Sequence, residues 1–206
     1  MKKVLLINGS PHEKGNTHFA LNEASKTLVE QGFQTEIVWI GTKPVRGCIS
    51  CGGCVRAHDG HCAFNDDLCN EVIDKMNEAD GLIVGSPVYY GTPTGSVLNL
   101  LHRMLFAGAR VAGKPAAAVT VCRRGGATAA FQTLQMPMQM SNMPLVTSQY
   151  WNIAYGREAG EVRLDAEGMQ TMRTLALNMA WMIRQLKAEG SQPPKYEPWQ
   201  GTHFIR

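Results

Sequence analysis

Apolar positions along this chain switch repeatedly between a strand-like and a helix-like period. A short apolar run at Lys3–Asn8 reads as a first strand, and residues 17–31 carry Phe19, Leu21, Ala24 and Leu28 at helical spacing before stopping at Gly32. Thr35–Ile40 is β-branched and aromatic, the composition of a second strand. After a long connection at 41–66, helical spacing returns over Asp67–Glu78, with Leu68, Val72, Ile73 and Met76 on one face. The pattern then predicts a strand at Gly81–Gly85 and a helix at Thr94–Ala107, with Val97, Leu98, Leu101 and Leu105 inward. A fourth strand follows at Pro115–Val121, a helix at Thr128–Met140 and a fifth strand at Leu145–Ser148. Asp165–Glu189 reads as a long final helix closing a domain over 1–189, and 190–206, with three prolines, as an irregular surface tail.

Strands that alternate with helices predict an α/β fold, a doubly wound five-stranded parallel sheet in one domain. Right-handed crossovers leave few topologies. The flavodoxin-like order 2-1-3-4-5 places the switch point between strands 1 and 3, and such sheets bind ligands outside the carboxyl ends of their strands. Residues 41–66 exceed the usual loop length and read as a functional insertion. No repeat, low-complexity tract or linker interrupts the pattern.

Composition narrows the function. The chain has 206 residues, 44% apolar and 18% charged, with a net charge of only +3. It has no basic run interleaved with aromatics, so nucleic acid is not an expected partner. No apolar stretch approaches the roughly 20 residues of a membrane span. The opening Met1–Ile7 imitates a secretory leader for four apolar residues and then enters Asn8-Gly-Ser-Pro11, so it reads as a strand and the protein as cytoplasmic.

The chemistry sits on three loops. Gly9–Thr17 follows strand 1 and opens onto a helix; Ser10, Asn16 and Thr17 can join that helix's unpaired N–H groups around a phosphate. It is not a Walker loop, because no Gly-Lys-Ser/Thr follows. The alternative is a turn whose Asn16 or Thr17 caps the helix. The second loop, Pro87-Val88-Tyr89-Tyr90-Gly91, can set backbone N–H groups and aromatic faces against a flat ring, or can simply pack its tyrosines on the next helix. The third, Cys122–Gly126, brings Arg123 and Arg124 with Gly125 and Gly126; the arginines can serve a phosphate or the negative charge of a reduced flavin. A phosphate loop and a ring loop across strands 1 and 3 together suggest a flavin mononucleotide (FMN) site.

Taken in order, these three motifs resemble the NADPH-dependent FMN reductase family of flavodoxin-like proteins, over about residues 1–155. The resemblance implies that Ser10, Asn16 and Thr17 hold the FMN phosphate. Pro87, Val88, Tyr89, Tyr90 and Gly91 would line the ring, with Arg124, Gly125 and Gly126 closing its far edge. It implies NAD(P)H as electron donor, a small-molecule acceptor such as a quinone, a flavin or a metal ion, and a homodimer or homotetramer. FMN carries the chemistry, so no catalytic side chain is expected. One departure is visible: the helix after the second loop commonly ends in Asp-Arg in the family and here reads His102-Arg103.

Four of the six cysteines crowd the insertion as Cys48-x2-Cys51-x2-Cys54-x7-Cys62. The pattern resembles that of the iron-sulfur flavoprotein branch, which implies a 4Fe-4S cluster and an electron carrier with a ferredoxin-like partner. The residues alone also permit a four-cysteine zinc site, a thiol pair in a redox or metal sensor, or plain reduced cysteines. Cys69 and Cys122 read as small core residues.

Overall fold

A computed structural model describes residues 1–202 and contains one parallel sheet in the order β2-β1-β3-β4-β5. The strands are β1 (Lys3–Asn8), β2 (Gln34–Trp39), β3 (Gly81–Pro87), β4 (Ala116–Cys122) and β5 (Ile153–Tyr155). The helices are α1 (Asn16–Glu30), α2 (Gly53–Ala57), α3 (Cys69–Glu78), α4 (Gly95–Ala107), α5 (Ala127–Met140) and α6 (Ala166–Leu186). The predicted tail has no helix or strand over 191–202, and residues 203–206 lie outside the described residues. Among the described residues no helix is long and apolar enough to cross a membrane.

Side chains alternate across a strand, so a continuous apolar strand feeds two cores. Leu5 and Ile7 of β1, with Leu82 and Val84 of β3, pack on Val72 and Ile73 of α3, Leu100 and Leu101 of α4, and Leu134 of α5. Val4, Leu6 and Ile83 point to the opposite face, against Leu21 and Leu28 of α1 and Met172, Leu175 and Met179 of α6. Helices on both faces leave only the strand ends open. At the carboxyl ends, β1 and β3 are direct neighbours, paired from Val4↔Gly81 to Asn8↔Gly85. Their following loops diverge there and leave a crevice.

Two sequence expectations need correction. The fifth strand lies at Ile153–Tyr155, not at Leu145–Ser148. Residues 144–146 begin the edge position beside β4 (Ala116 N–H to Pro144 carbonyl, 2.9 Å; Val146 N–H to Ala116 carbonyl, 2.8 Å). The chain then leaves the ladder. Asn152, fully buried, fills the gap by donating to the Ala118 carbonyl at 3.1 Å, and its own carbonyl accepts from Thr120 N–H at 3.0 Å. The second correction is α2, a short helix inside the insertion that the sequence pattern does not signal.

Candidate functional site

The first loop is folded around the last residue of β1. Asn8, fully buried, accepts from the Ser10 N–H at 3.1 Å and donates to the Glu13 carbonyl at 3.0 Å. Ser10 Oγ in turn accepts from the His12 N–H at 3.1 Å. Gly9 makes the close approach possible: a Cβ there would stand 2.8 Å from Val97 Cβ and 2.9 Å from the Gly85 carbonyl oxygen. The Gly9 N–H donates to that carbonyl at 2.8 Å, and Thr94 Oγ1 donates to the Gly9 carbonyl at 2.7 Å. The loop therefore rides on β3 and α4. It delivers α1 with Gly15 as N-cap and no side-chain cap. Neither Asn16 nor Thr17 caps the helix; Asn16 Oδ1 accepts instead from the Val162 N–H at 3.2 Å.

The second loop continues the ladder through Val88 N–H to the Val121 carbonyl at 3.1 Å. Tyr89 and Thr92 then exchange backbone hydrogen bonds at 2.8 and 3.0 Å. Between them Tyr90 (φ 52°) and Gly91 (φ 79°) both adopt positive φ, a two-residue turn of the hairpin type. The turn lifts the Tyr90 side chain wholly into solvent. Gly126, itself at φ 84°, backs this turn: a Cβ there would meet Gly91 Cα at 2.9 Å.

These loops enclose a cavity of about 700 Å³ at the carboxyl ends of β1, β3 and β4. Ser10, Asn16 and Thr17 line it together with Pro87, Val88 and Tyr89. Tyr90, Gly91, Arg124, Gly125 and Gly126, expected at the ring, do not line it. Arg123, rather than Arg124, reaches the wall. Sequence reasoning missed Trp39, whose Nε1 donates to the Ser10 carbonyl at 2.8 Å from the end of β2. It also missed Gly156 and Arg157, which follow β5 and were hidden by the misplaced strand. Lys14, Arg123 and Arg157 outnumber Glu13 on the lining, and Arg157 is itself ion-paired with Glu158 at 3.2 Å. Cys122 lines the wall beneath, and burial pushes its thiol pKa up.

The insertion forms a second candidate site. Cys48, Cys51, Cys54 and Cys62 all line one small cavity, with Phe64, Arg103 and Phe106. All four are free thiols, Cys48 and Cys51 exposed, Cys54 and Cys62 half-buried. Among the described residues no three Cys, His, Asp or Glu side chains form a group that could hold a metal ion. The four thiols line one space without forming such a group. Their donor chemistry, four thiols on one loop beside a buried cation, fits an iron-sulfur group.

Polar ties hold this loop. Asn70 of α3 grips Cys62 by both backbone groups, accepting from its N–H at 2.8 Å and donating to its carbonyl at 2.9 Å. Asn99 of α4 donates to the Val45 carbonyl at 2.9 Å. Arg103 ion-pairs with Asp67, the residue just after the insertion. Cys69 is core, and burial raises its pKa to about 12.

Comparison with known proteins adds the following. A family model described as NADPH-dependent FMN reductase matches residues 2–158. An iron-sulfur flavoprotein of Methanocaldococcus jannaschii is 32% identical over 194 residues, covering 90% of this chain and 99% of that protein. Another, of Methanosarcina thermophila, is 31% identical over 192 residues, covering 90% and 97%. Among solved structures, RosB with bound 8-demethyl-8-formylriboflavin-5'-phosphate matches with a TM-score of 0.71 at 16% identity, over 100% of this chain and 99% of that one. An archaeal flavodoxin matches with a TM-score of 0.60 at 14% identity, over 88% and 99%. These likenesses in shape show a flavodoxin-like fold.

Proposed function

Because the chain belongs to the NADPH-dependent FMN reductase family, we propose that it binds FMN in the 700 Å³ cavity and passes electrons from NAD(P)H to a small acceptor such as a quinone, a flavin or a metal ion. One observation carries this reading: Ser10, Asn16 and Thr17, at a helix start no side chain caps, share a cavity with Pro87, Val88 and Tyr89. A helix N-terminus with adjacent hydroxyls suits a phosphate monoester. Bound FMN would supply transfer of electrons singly or as a hydride. The chain's own part is to hold the phosphate with the 9–17 loop, to press the 87–89 segment against the ring, and to offer Arg123 and Arg157 to negative charge. Mass spectrometry of the released cofactor, followed by anaerobic mixing with NADH and with NADPH, tests this. The expected result is FMN whose visible absorption bleaches on mixing. Release of FAD, or an FMN-loaded protein that neither nucleotide bleaches, sinks it.

A second reading is favoured by the four cysteines on one cavity and by the relatives' names: an iron-sulfur flavoprotein that carries electrons for a ferredoxin-like partner. The cavity between the thiols is about 20 Å³, so a cluster requires exposed Cys48 and Cys51 to swing outward while Cys62 stays gripped by Asn70. Anaerobic reconstitution should give about four irons per chain; FMN without iron overturns this reading alone.

A further inference from the structure

We propose that Arg103 is a positioning residue of the cysteine site: it fastens both limbs of the insertion to α4 and tunes a bound cluster through a hydrogen bond to Cys62. The proposal rests on the iron-sulfur reading above. The Arg103 side chain is 1% exposed, on the apolar-packed face of α4 that also buries Leu100, Leu101 and Met104. Its Nε donates to Cys62 Sγ at 3.4 Å. One terminal nitrogen donates to Asp67 and to the Arg46 carbonyl at 3.3 Å, and the other to the Phe64 carbonyl at 3.1 Å. A single planar fork thus touches residues 46, 62, 64 and 67, both ends of the insertion. Asp67 is the one carboxylate paired with it among the described residues, and Asp67 also accepts from the Arg46 and Cys69 N–H groups.

Packing does not explain this arrangement. A buried ion pair is often no more stabilising than apolar residues of similar size, and the neighbouring α4 positions show that apolar residues suffice. The guanidinium also points its Nε at a sulfur. Hydrogen bonds to ligand sulfurs and nearby charge are what set the potential of an iron-sulfur group. A buried cation donating to one thiolate favours the state with the extra electron, so it raises the reduction potential. Asp67 opposes that effect. Because Asn70 holds the Cys62 backbone independently, loss of the guanidinium leaves the loop an anchor.

The test uses the full chain, purified and reconstituted without oxygen, as wild type, Arg103→Lys, Arg103→Gln and Asp67→Asn. Iron and FMN per chain are measured, and the cluster and flavin potentials are read in one redox titration by electron paramagnetic resonance and absorption. Arg103→Gln should make the cluster potential more negative and leave FMN content and the FMN potential unchanged. Arg103→Lys, which keeps the charge, should fall between it and wild type. Asp67→Asn should move the potential the opposite way. A cluster potential unmoved in an iron-loaded Arg103→Gln protein, or the same direction of shift in Arg103→Gln and Asp67→Asn, overturns the proposal. If Arg103→Gln assembles no iron, the lysine and asparagine variants decide: opposite shifts support it, no shift in either overturns it. Wild type that takes up no iron overturns the iron-sulfur reading itself, before any substitution is compared.

Discussion

At the residue scale, two side chains line the cavity proposed for FMN and one glycine backs the turn beside it. Thr17 and Ser10 are almost wholly buried yet line the cavity. If they hold the FMN phosphate as proposed, replacing either with Ala would remove a hydrogen bond to a charged group, a loss of roughly 1.5–3 kcal/mol. The dissociation constant for FMN should then rise about ten- to a hundredfold in a fluorescence titration. Ser10→Ala also loses the acceptor for the His12 N–H, so its effect should be the larger. Unchanged affinity in both variants places the phosphate elsewhere. Gly126→Ala puts a Cβ at positive φ and against Gly91 Cα. It should lower stability by about 1–3 kcal/mol, seen as a lower melting temperature of the FMN-free protein; an unshifted melt contradicts the close backing of the 89–92 turn.

At the element scale, the insertion and β2 each depend on a few polar ties. Asn70→Ala removes both hydrogen bonds to the Cys62 backbone. The expected cost is about 1–3 kcal/mol, localised to the loop, so limited proteolysis should cut within 41–66 faster than in wild type while FMN affinity stays the same. Equal cleavage rates would show that Arg103 and Asn99 suffice. On β2, Glu36 receives Lys3 at 2.8 Å and Lys75 at 2.6 Å. Hydrogen bonds from Lys3 and then Lys75 hold its carboxyl pKa below the ordinary value. A depressed carboxylate contributes stability that is present above its unfolded pKa and lost as pH falls through the folded one. Wild type should therefore exceed Glu36→Gln by up to about 1 kcal/mol at neutral pH, with the gap closing below about pH 4. A gap that does not narrow as pH falls below the ordinary carboxylate range would contradict the assignment.

At the scale of the whole molecule, the surface carries apolar groups that a lone chain leaves wet. In residues 136–155, Met136, Met140, Tyr150 and Trp151 are all at least half exposed. Closed two-fold assembly is the commonest way to cover such a surface. Light scattering at micromolar concentration should give a homodimer or homotetramer, and Met140→Asp should shift it toward the monomer. A wild type that runs as a monomer removes this expectation.

The order of strands and helices was legible because both apolar periods are long and unbroken: Val4–Ile7 feeds two cores, and α1, α4 and α6 each bury one stripe. Ser10 and Val88 were legible for a related reason, since each lies just past a strand's carboxyl end and the sheet order alone brings those ends together; Thr17 was legible because it opens the helix that follows β1. Contacts across long sequence separations were not. Trp39 reaches Ser10 over 29 residues, and Arg103 reaches Cys62 over 41. No local period records such a meeting; it exists only once β2 and α4 have docked. The β5 edge failed for another reason. Its ladder is short and broken at 147–152, with Asn152 bonding in place of a continuous strand, so the local alternation on which sequence reading depends is absent. Local pattern thus determined which faces are buried and which loops stand at the sheet's edge. Packing decided that Arg123 lines the cavity wall and Arg124 does not, and that a buried cation meets the cysteine loop.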